Sequence, residues 1–446
     1  MTISISPPPS QGQKEAKMGR ADISTKQAEQ QPVPPEPFST LTSNIYLPIA
    51  DFLTRREVGH LKISNQGAYN SMINHLIPTD IRTINKEALK YILKCGTPAQ
   101  LTQVFEKGIQ ALISLDFNYT ASVRENIGSV ILHIAMSDEG RRALIANPNV
   151  IPSLNHLANQ DNTEGGRECI AAAIRNISMS LEGVDALIEN GAITTLNHLA
   201  NQDNTEGGRY YITAAIRNIS MIEEGIRALI ENGAITILNR LANQDNTELG
   251  RENIAAAILN IAYRDEGILA LIENGGIEAL TTLATLANTP LERQNIAGAI
   301  GYILERDEGI VALFENIEAN PDTNIVTALT TFSGEVNTNY GTEYICETFK
   351  LISNSETGVE FLIGNGGIEA LSYLATQDNT VFGRECIADA ILHIANSAEG
   401  KRALIANPNV ITTLNHLAAQ KNTERGREII EVTKNCLQPN QGCTIL

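Results

Sequence analysis

The feature that most constrains this chain is an internal repeat. The segment 154–167, LNHLANQDNTEGGR, recurs without change at 196–209, and LANQDNTE returns at 241–248. The tripeptide ALI marks the same place in successive copies, at Ala143, Ala186, Ala228 and Ala270, with ALF at Ala312 and ALI at Ala403. The first four intervals are 43, 42, 42 and 42 residues. A period of this size predicts a solenoid of small helical units, each of which buries its apolar face only by stacking on its neighbours.

One copy shows how a unit divides into three helices. EGVDALIENG, residues 182–191, predicts a short first helix that Gly191 ends in a left-handed conformation. A second helix is predicted over AITTLNHLANQ, and either Asn204 or Thr205 in the following loop is placed to cap the third. That third helix, residues 210–221, is apolar on most sides and is therefore expected inside the stack.

Composition narrows the class of protein. At 446 residues the chain is too long for one compact core. Its formal charge of −18 argues against binding nucleic acid or adsorbing to anionic lipid. Six scattered cysteines without a CxxC pair predict neither a disulfide framework nor a zinc site, and fit the reduced cytosol. We expect no membrane-spanning helix, since no apolar run approaches about 20 residues, and the N-terminus has no signal-peptide core.

The units resemble the armadillo family. That family's third helix, similar to AAxAIxNIA, is followed by a glycine and then ALIExGAIxxLxxLL; here AAAIRNIS is followed by EGVDALIENGAITTLNHLA. The resemblance covers residues 97–437 and implies an all-α, right-handed superhelical solenoid of about eight armadillo-like repeats. HEAT repeats are the near alternative, but the short first helix followed by ENGA or ENGG favours armadillo. The copy at 316–353 is the most divergent, and near its insertion at 317–322 we expect the superhelix to bend or change register.

The resemblance implies a protein-binding groove. In armadillo proteins the third helices line a concave groove, where a repeated Asn holds the backbone of an extended peptide because an amide both donates and accepts. The residues at this position, which we predict to line the groove, are His133, Asn176, Asn218, Asn260, Tyr302, Leu351, His393 and Asn435. Simple duplication of the units also explains the repeated Asn. Recognition of nuclear localisation signals is not implied, since the family members that perform it carry a Trp where this chain has Ala172, Ala214, Ala256 and Gly298.

A column of arginines stands near the start of the third helix: Arg124, Arg167, Arg209, Arg251, Arg293, Arg384 and Arg427, interrupted by Thr342. Arginine there opposes the helix dipole, which invites a functional role. Adjoining glutamates favour ion pairing between repeats instead: Glu125, Glu168, Glu252, Glu385 and Glu428. Repetition explains His156, His198 and His416 better than metal binding does. Because no catalytic constellation stands out, we predict no enzymatic activity, no metal and no cofactor.

The N-terminal region divides into three parts. Residues 1–37 are polar and proline-rich and predict a disordered segment. Residues 38–79 resemble an F-box, the helical module that docks a substrate receptor on an SCF-type ubiquitin ligase. The residues in its pattern that would bind the ligase are Leu41, Ile45, Ile49, Phe52, Leu53 and Leu61. A helical cap over the first repeat explains the same segment, since Thr42 replaces an expected proline and Pro48 falls inside the first helix. We expect a connecting helix at 80–96.

The last residues, 438–446, predict a flexible tail that carries a CaaX-type prenylation motif, Cys443-Thr444-Ile445-Leu446. The final Leu predicts geranylgeranyl on Cys443. One lipid chain binds a membrane weakly, and no polybasic run precedes Cys443. Acylation of Cys436 is the candidate second signal.

An F-box-like module, a repeat array and a prenylation motif together resemble host-targeted effectors of intracellular bacteria. They predict a substrate adaptor that brings a protein bound in the groove to SCF ligase subunits. Its expected place is the cytosolic face of a host-cell membrane after secretion, and otherwise the cytoplasm. The alternative is a membrane-tethered armadillo scaffold or competitor without a ligase role. Neither hypothesis involves nucleic acid.

Overall fold

The computed structural model describes residues 70, 73–74, 76–84, 86–114, 119–287 and 289–438. Within these ranges every regular element is a helix, and none of the helices has both the length and the apolar character needed to span a membrane. The segment predicted at 1–37, most of the module predicted at 38–79 and residues 439–446 lie outside the described residues.

In the described part of the chain, 24 α-helices form eight consecutive units of three. The first helices are α1 (Lys86–Cys95), α4 (Asp138–Ala146), α7 (Leu181–Glu189), α10 (Glu223–Glu231), α13 (Asp265–Glu273), α16 (Asp307–Ala319), α19 (Glu356–Gly364) and α22 (Ala398–Ala406). The second helices are α2 (Pro98–Ile113), α5 (Val150–Ala158), α8 (Ala192–Ala200), α11 (Ala234–Ala242), α14 (Gly276–Leu286), α17 (Ile325–Ser333), α20 (Gly367–Leu374) and α23 (Asn409–Ala419). The third helices are α3 (Ala121–Ala135), α6 (Glu164–Ile177), α9 (Glu206–Ile219), α12 (Glu248–Ala262), α15 (Pro290–Ile303), α18 (Asn339–Ile352), α21 (Val381–Asn396) and α24 (Glu424–Cys436).

Every third helix starts directly after a capping threonine: Thr120, Thr163, Thr205, Thr247, Thr289, Thr338, Thr380 and Thr423. In unit 3 the Thr205 hydroxyl oxygen accepts a hydrogen bond from the Gly208 backbone N–H at 2.9 Å. Asn204 closes the loop instead, because its amide donates to the Leu199 and Gln202 carbonyls at 2.7 and 2.8 Å. The cap is therefore Thr205, and such a cap stabilises a helix by about 1 kcal/mol.

A left-handed glycine separates the first helix from the second in four units. Gly191, Gly233, Gly275 and Gly366 have φ angles of 69°, 70°, 81° and 76°. Only glycine adopts such angles at little cost, because it has no Cβ to approach the carbonyl oxygen. The prediction for Gly191 is confirmed.

The third helices form the core of the stack, and each packs against the third helix of the next unit. In α6, Ile170, Ile174 and Ile177 are completely buried. Burial of one such side chain stabilises the fold by about 1.5–3 kcal/mol. Because these contacts lie between units, the stability of each unit depends on its neighbours.

The divergent copy contains a longer first helix. Helix α16 has 13 residues, whereas α13 has nine. The insertion predicted near 317–322 therefore adds about one helical turn and a loop, after which the Asn324 side chain caps α17 through the Thr327 N–H at 3.0 Å.

The N-terminal end of the stack is covered. Described residues between 70 and 84, which we call the N-terminal cap, include the buried Ile73, Leu76 and Ile77. The Gln100 side chain of α2 donates to the Asn70 carbonyl at 3.0 Å and to Asn74 Oδ1 at 2.7 Å. Helix α1 follows within the connecting segment predicted at 80–96 and takes the place of a first helix in unit 1.

Candidate protein-binding surface on the third helices

The large apolar side chains that the third helices expose stand at the two ends of these helices. In α6, Gly165, Ala172 and Met179 follow one another at intervals of seven residues, about two turns, and so lie on one line along the helix. Ala172 is completely buried, whereas Met179 is exposed and Arg175 is half-buried. We call the side chains on and beside this line, in all eight third helices, the third-helix face. Its contact surface comes from the two helix ends and from the longer side chains between them.

The predicted Asn column joins neighbouring units. Asn218 donates from Nδ2 to the Ser178 hydroxyl oxygen at 3.1 Å, and Asn260 donates to Ser220 at 3.0 Å. In both pairs the serine belongs to the preceding unit. Within the described residues, the Oδ1 atoms of Asn218 and Asn260 accept no hydrogen bond, so each keeps one acceptor that a partner's backbone N–H can use.

Other members of the column have different contacts. Asn176 is buried, and its Oδ1 accepts a hydrogen bond from Arg175 at 2.9 Å. His133 Nδ1 lies 2.6 Å from the Ser129 carbonyl of its own helix. His393 Nδ1 lies 3.2 Å from the Ser353 hydroxyl of the preceding unit and so repeats the inter-unit contact of the Asn pairs. Leu351 is half-buried.

The last member of the column needs a correction. Asn176 stands thirteen residues after its capping Thr163, and in α24 the residue thirteen after Thr423 is Cys436, not Asn435. Cys436 is buried and Asn435 is exposed. Because an Asn stands directly before the true position, the repeats were aligned with unit 8 shifted by one residue.

Tyr302 forms an aromatic contact across three units. Its ring lies edge-on to Tyr263 at 5.4 Å and to Tyr344 at 6.3 Å, measured between ring centroids. A Cβ at Gly298 would lie 3.1 Å from the Tyr344 ring, so the missing side chain makes room for that ring. Burial raises the pKa of the Tyr302 phenol, which therefore remains protonated.

Large apolar side chains are exposed on the third-helix face in two runs. The first run stands at the C-terminal ends of α3, α6, α9 and α12: Met136, Met179, Met221 and Tyr263. The second stands two residues after the caps of α12, α15, α18 and α21: Leu249, Leu291, Tyr340 and Phe382. Sequence reasoning missed both runs, although their spacing of one per repeat was visible. Adjacent exposed apolar residues of this kind mark interaction sites.

The arginines of the column bond to backbone carbonyls of the loops. Arg209 donates to the Asn204 carbonyl of its own loop at 2.6 Å and to the Asp245 carbonyl of the next loop. Arg167 makes the equivalent bonds to Asn162 and Asp203. The column thus joins loops of successive units through backbone carbonyls. Arg251 is different, since it also forms an inter-unit ion pair with the buried Glu292, with 2.9 Å between Nε and Oε1.

The glutamates join units through the capping threonines. The Thr205 hydroxyl donates to Glu168 Oε2 at 2.5 Å, and Thr163 donates to Glu125 Oε2 at 2.6 Å. Each hydroxyl therefore caps its own helix and binds the preceding unit. The prediction that this column connects repeats is confirmed. In the described part of the chain the contacts are of two kinds: hydroxyl–carboxylate bonds such as these, and ion pairs between units in two places, Arg251–Glu292 and Arg425–Glu385, the latter with 3.4 Å between Nε and Oε1.

Two carboxyl groups of the third-helix face have shifted pKa values. Burial raises the pKa of Glu347; Lys350 opposes this shift, and the nearby Glu305 and Glu343 add to it. Burial also raises the pKa of Glu252. Keeping these carboxylates charged at neutral pH costs free energy.

We looked among the described residues for groups that could bind a metal ion and for paired cysteines. No group of His, Cys, Asp and Glu there could hold a metal ion. His156, His198 and His416 lie on second helices of different units. The cysteines that the structure describes are not in disulfides: Cys95, Cys169, Cys346, Cys386 and Cys436. Cys436 is only 2% exposed, so the prediction that it serves as an acylation site is wrong for the folded chain.

The remaining predicted sites lie outside the described residues. They are the ligase-binding set, Leu41, Ile45, Ile49, Phe52, Leu53 and Leu61, and the prenylation site, Cys443.

No protein-family model matches the chain, and no curated protein matches it. A solved structure of an engineered protein from the Northeast Structural Genomics Consortium is 18% identical, with a TM-score of 0.64 over 90% of this chain and 97% of the other. This likeness is one of fold alone, and the armadillo character lies in the three-helix units stacked in series. The chain is an all-α armadillo-type solenoid. Two designed armadillo repeat proteins also match, each over 55% of this chain and 97% of their own. One was designed for modular peptide recognition (28% identity, TM-score 0.39). The other is in complex with the peptide (KR)4 (26% identity, TM-score 0.39).

Proposed function

We propose that this chain is a protein-binding adaptor whose third-helix face binds a segment of a target protein. The observation that carries the proposal is the pair of exposed apolar runs, which together present at least one large apolar side chain in each of units 1 to 7. A surface of this kind favours burial against a partner. Asn218 and Asn260 add free amide acceptors beside it.

At finer detail, we propose that the adaptor recruits its target to an SCF-type ubiquitin ligase. The F-box-like residues of segment 38–79, such as Leu53 and Leu61, would contact the ligase. Geranylgeranyl on Cys443 would place the complex on the cytosolic face of a host membrane. The chain itself performs no chemistry in this scheme, because proximity to the ubiquitin-loaded enzyme is sufficient. The resemblance of sequence motifs is the support for this part of the proposal.

A scaffold or competitor without a ligase role is the second candidate, and one observation favours it. The end of segment 38–79 packs on the array, where Ile73 is completely buried and Asn74 bonds to Gln100. Terminal repeats of solenoids need such caps. The described residues at the end of this segment, 70–79, therefore have a packing role that does not require a ligase.

The two candidates are separated by a pull-down from eukaryotic cell lysate. The intact chain is compared with a chain that lacks residues 1–69, since this truncation leaves the N-terminal cap in place. Loss of cullin-ligase subunits from the truncated chain, with other partners retained, supports the adaptor. A double variant, Leu53→Glu with Leu61→Glu, should have the same effect. If the intact chain recovers no ligase subunits, the scaffold is the better description.

Membrane attachment is tested separately with Cys443→Ser. Fractionation of eukaryotic cells that express both forms should find the wild-type chain with membranes and the variant in the soluble fraction. Equal distribution of the two forms would exclude a role for Cys443.

A further inference from the structure

Three of the six methionines in this chain stand at one equivalent position in consecutive units. Met136, Met179 and Met221, followed by Tyr263 in the next unit, are 64%, 54%, 71% and 64% exposed. Each stands sixteen residues after the threonine that caps its third helix. We call these four residues the methionine stripe. Exposure of one apolar side chain is ordinary, whereas four at one position in four consecutive units form a regular apolar series along the stack.

The two borders of the methionine stripe have opposite charge. On one side, Arg175 and Arg217 stand one helical turn before Met179 and Met221, and Arg175 contacts the Met179 sulfur at 3.3 Å. On the other side, the first helix of the next unit begins with exposed carboxylates: Glu182 in α7, Glu224 in α10 and Glu266 in α13. Glu223 and Asp265 stand beside them and pair with Arg264 and Arg306 of the array. A partner that fits this surface has an apolar centre between an acidic and a basic border.

We propose that the methionine stripe binds an amphipathic α-helix of a partner protein. Neighbouring packed helices lie about 8–10 Å apart, so the four residues of the stripe extend over roughly 24–30 Å. An α-helix rises about 10.5 Å in seven residues, and one of roughly 16–20 residues matches both the spacing and the length.

The charges and the chemistry of methionine define this helix further. Its apolar residues recur at intervals of three and four along one face. Acidic residues on one flank meet Arg175 and Arg217, and basic residues on the other meet the carboxylates of the first helices. Methionine is flexible and polarisable, so it adapts to different apolar side chains. A proline-rich segment is a poorer fit, because grooves that bind it are lined by aromatic rings, and only Tyr263 of this stripe has one.

This inference rests on the proposed function and names the class of partner segment. It is tested with methyl-¹³C methionine in the full chain, which has six methionines. Single Met→Leu variants assign the signals of Met136, Met179 and Met221. The probe is a synthetic helical peptide of about 18 residues with leucine on one face, lysine on one flank and glutamate on the other. We expect the three stripe signals to shift and the peptide to gain helical circular dichroism on binding.

Three controls make the result specific. A peptide of the same composition in scrambled order should leave the signals unmoved. The double variant Met179→Glu with Met221→Glu should bind the amphipathic peptide at least about tenfold more weakly. Met179→Leu with Met221→Leu should retain binding. Because the methionines are exposed, both double variants should melt close to wild type.

Several results would overturn the inference. The first is that the methyl signals of the methionine stripe do not shift when the amphipathic peptide is added. The second is that the scrambled peptide shifts them equally. A response to a proline-rich peptide instead would identify a different occupant. The adaptor proposal is separable: if the Glu double variant still captures the targets of the intact chain in the pull-down, the target binds elsewhere on the array. If neither form captures a target, the proposed function fails as well.

Discussion

His393 shows how one residue of the repeated column acquires a pH dependence. Its Nδ1 contacts the Ser353 hydroxyl at 3.2 Å, and that hydroxyl already donates to the Lys350 carbonyl. We therefore assign the imidazole proton to Nδ1. Burial lowers the pKa of His393; Asp389 opposes this, while Lys350 and Arg425 add to it. The folded protein thus favours the neutral imidazole.

We predict that His393→Asn reduces the loss of stability on acidification. Because the pKa of His393 is lower in the folded chain, the unfolded chain binds the proton more strongly. The stability that the neutral His393 imidazole contributes is intact above about pH 6.5 and is lost as the pH falls toward the folded-state pKa. Asn does not titrate and can make the same contact to Ser353. Melting temperatures at about pH 7.5 and about pH 5 should differ less for the variant than for wild type; an equal difference contradicts the prediction.

Gly183 is a residue whose missing side chain sets the distance between two helices. A Cβ at this position in α7 would lie 1.9 Å from the carbonyl oxygen of Ile177 in α6. Backbone cannot move away as a flexible side chain does, so the first helix would have to shift. Gly364, at the end of α19, is the natural contrast, since a Cβ there has no neighbour within 4 Å.

Gly183→Ala should therefore destabilise the protein by about 1–3 kcal/mol, whereas Gly364→Ala should be neutral or stabilising by roughly 0.5–1 kcal/mol. Urea unfolding of the two variants beside wild type measures both effects. Similar midpoints for the two variants would show that the α6–α7 junction tolerates a Cβ.

At the scale of elements, the loop before each third helix is the joint between units. In unit 3 the Asn204 amide closes the loop, Thr205 caps α9, and Arg209 connects the loop to the next one. The Thr205 hydroxyl also donates to Glu168 of the preceding unit. The short motif DNT and the arginine four residues after the threonine thus hold three units together.

We predict that Arg209→Met, which keeps the length of the side chain but removes its donors, destabilises the array. The carbonyls of Asn204 and Asp245 lose a charged donor. Bonds to charged groups contribute about 1.5–3 kcal/mol, and we expect the lower part of this range because the bond to Asp245 is exposed. The matched control is Arg227→Met: Arg227 is half-exposed and forms a 3.3 Å pair with Glu223, for which about 0.5 kcal/mol or less is expected. Equal losses in denaturant unfolding would mean that the loop contacts are no stronger than a surface ion pair.

The whole molecule behaves as a stack whose ends need protection. The first unit is covered by the N-terminal cap, in which Ile73, Leu76, Ile77 and Ile81 are buried. Because each unit depends on its neighbour for burial of apolar surface, exposure of an end lowers the stability of the units next to it.

We predict that a chain lacking residues 1–79 melts at a lower temperature and aggregates more than a chain lacking residues 1–69. The first truncation removes Ile73, Leu76 and Ile77 from the end of the stack, whereas the second keeps them. Melting temperature and light scattering compare the two forms. Removal of residues 439–446 serves as a control for truncation itself. Equal behaviour of the two N-terminal truncations would show that unit 1 is stable without its cap.

The sequence by itself determined the solenoid, the division of each unit into three helices, the left-handed Gly191 and the apolar third helices. These features follow from local periodicity and backbone chemistry, which act within one unit. The same pattern recurs in successive units, so it can be recognised in the sequence. Only the tertiary structure decided that Thr205 and not Asn204 caps α9, that Cys436 replaces Asn435 in the column, and that Arg209 binds carbonyls. The tertiary structure also showed that the side chains of the methionine stripe are exposed. Such features depend on which atoms meet across a distance of one repeat, and the stacking of units sets that geometry.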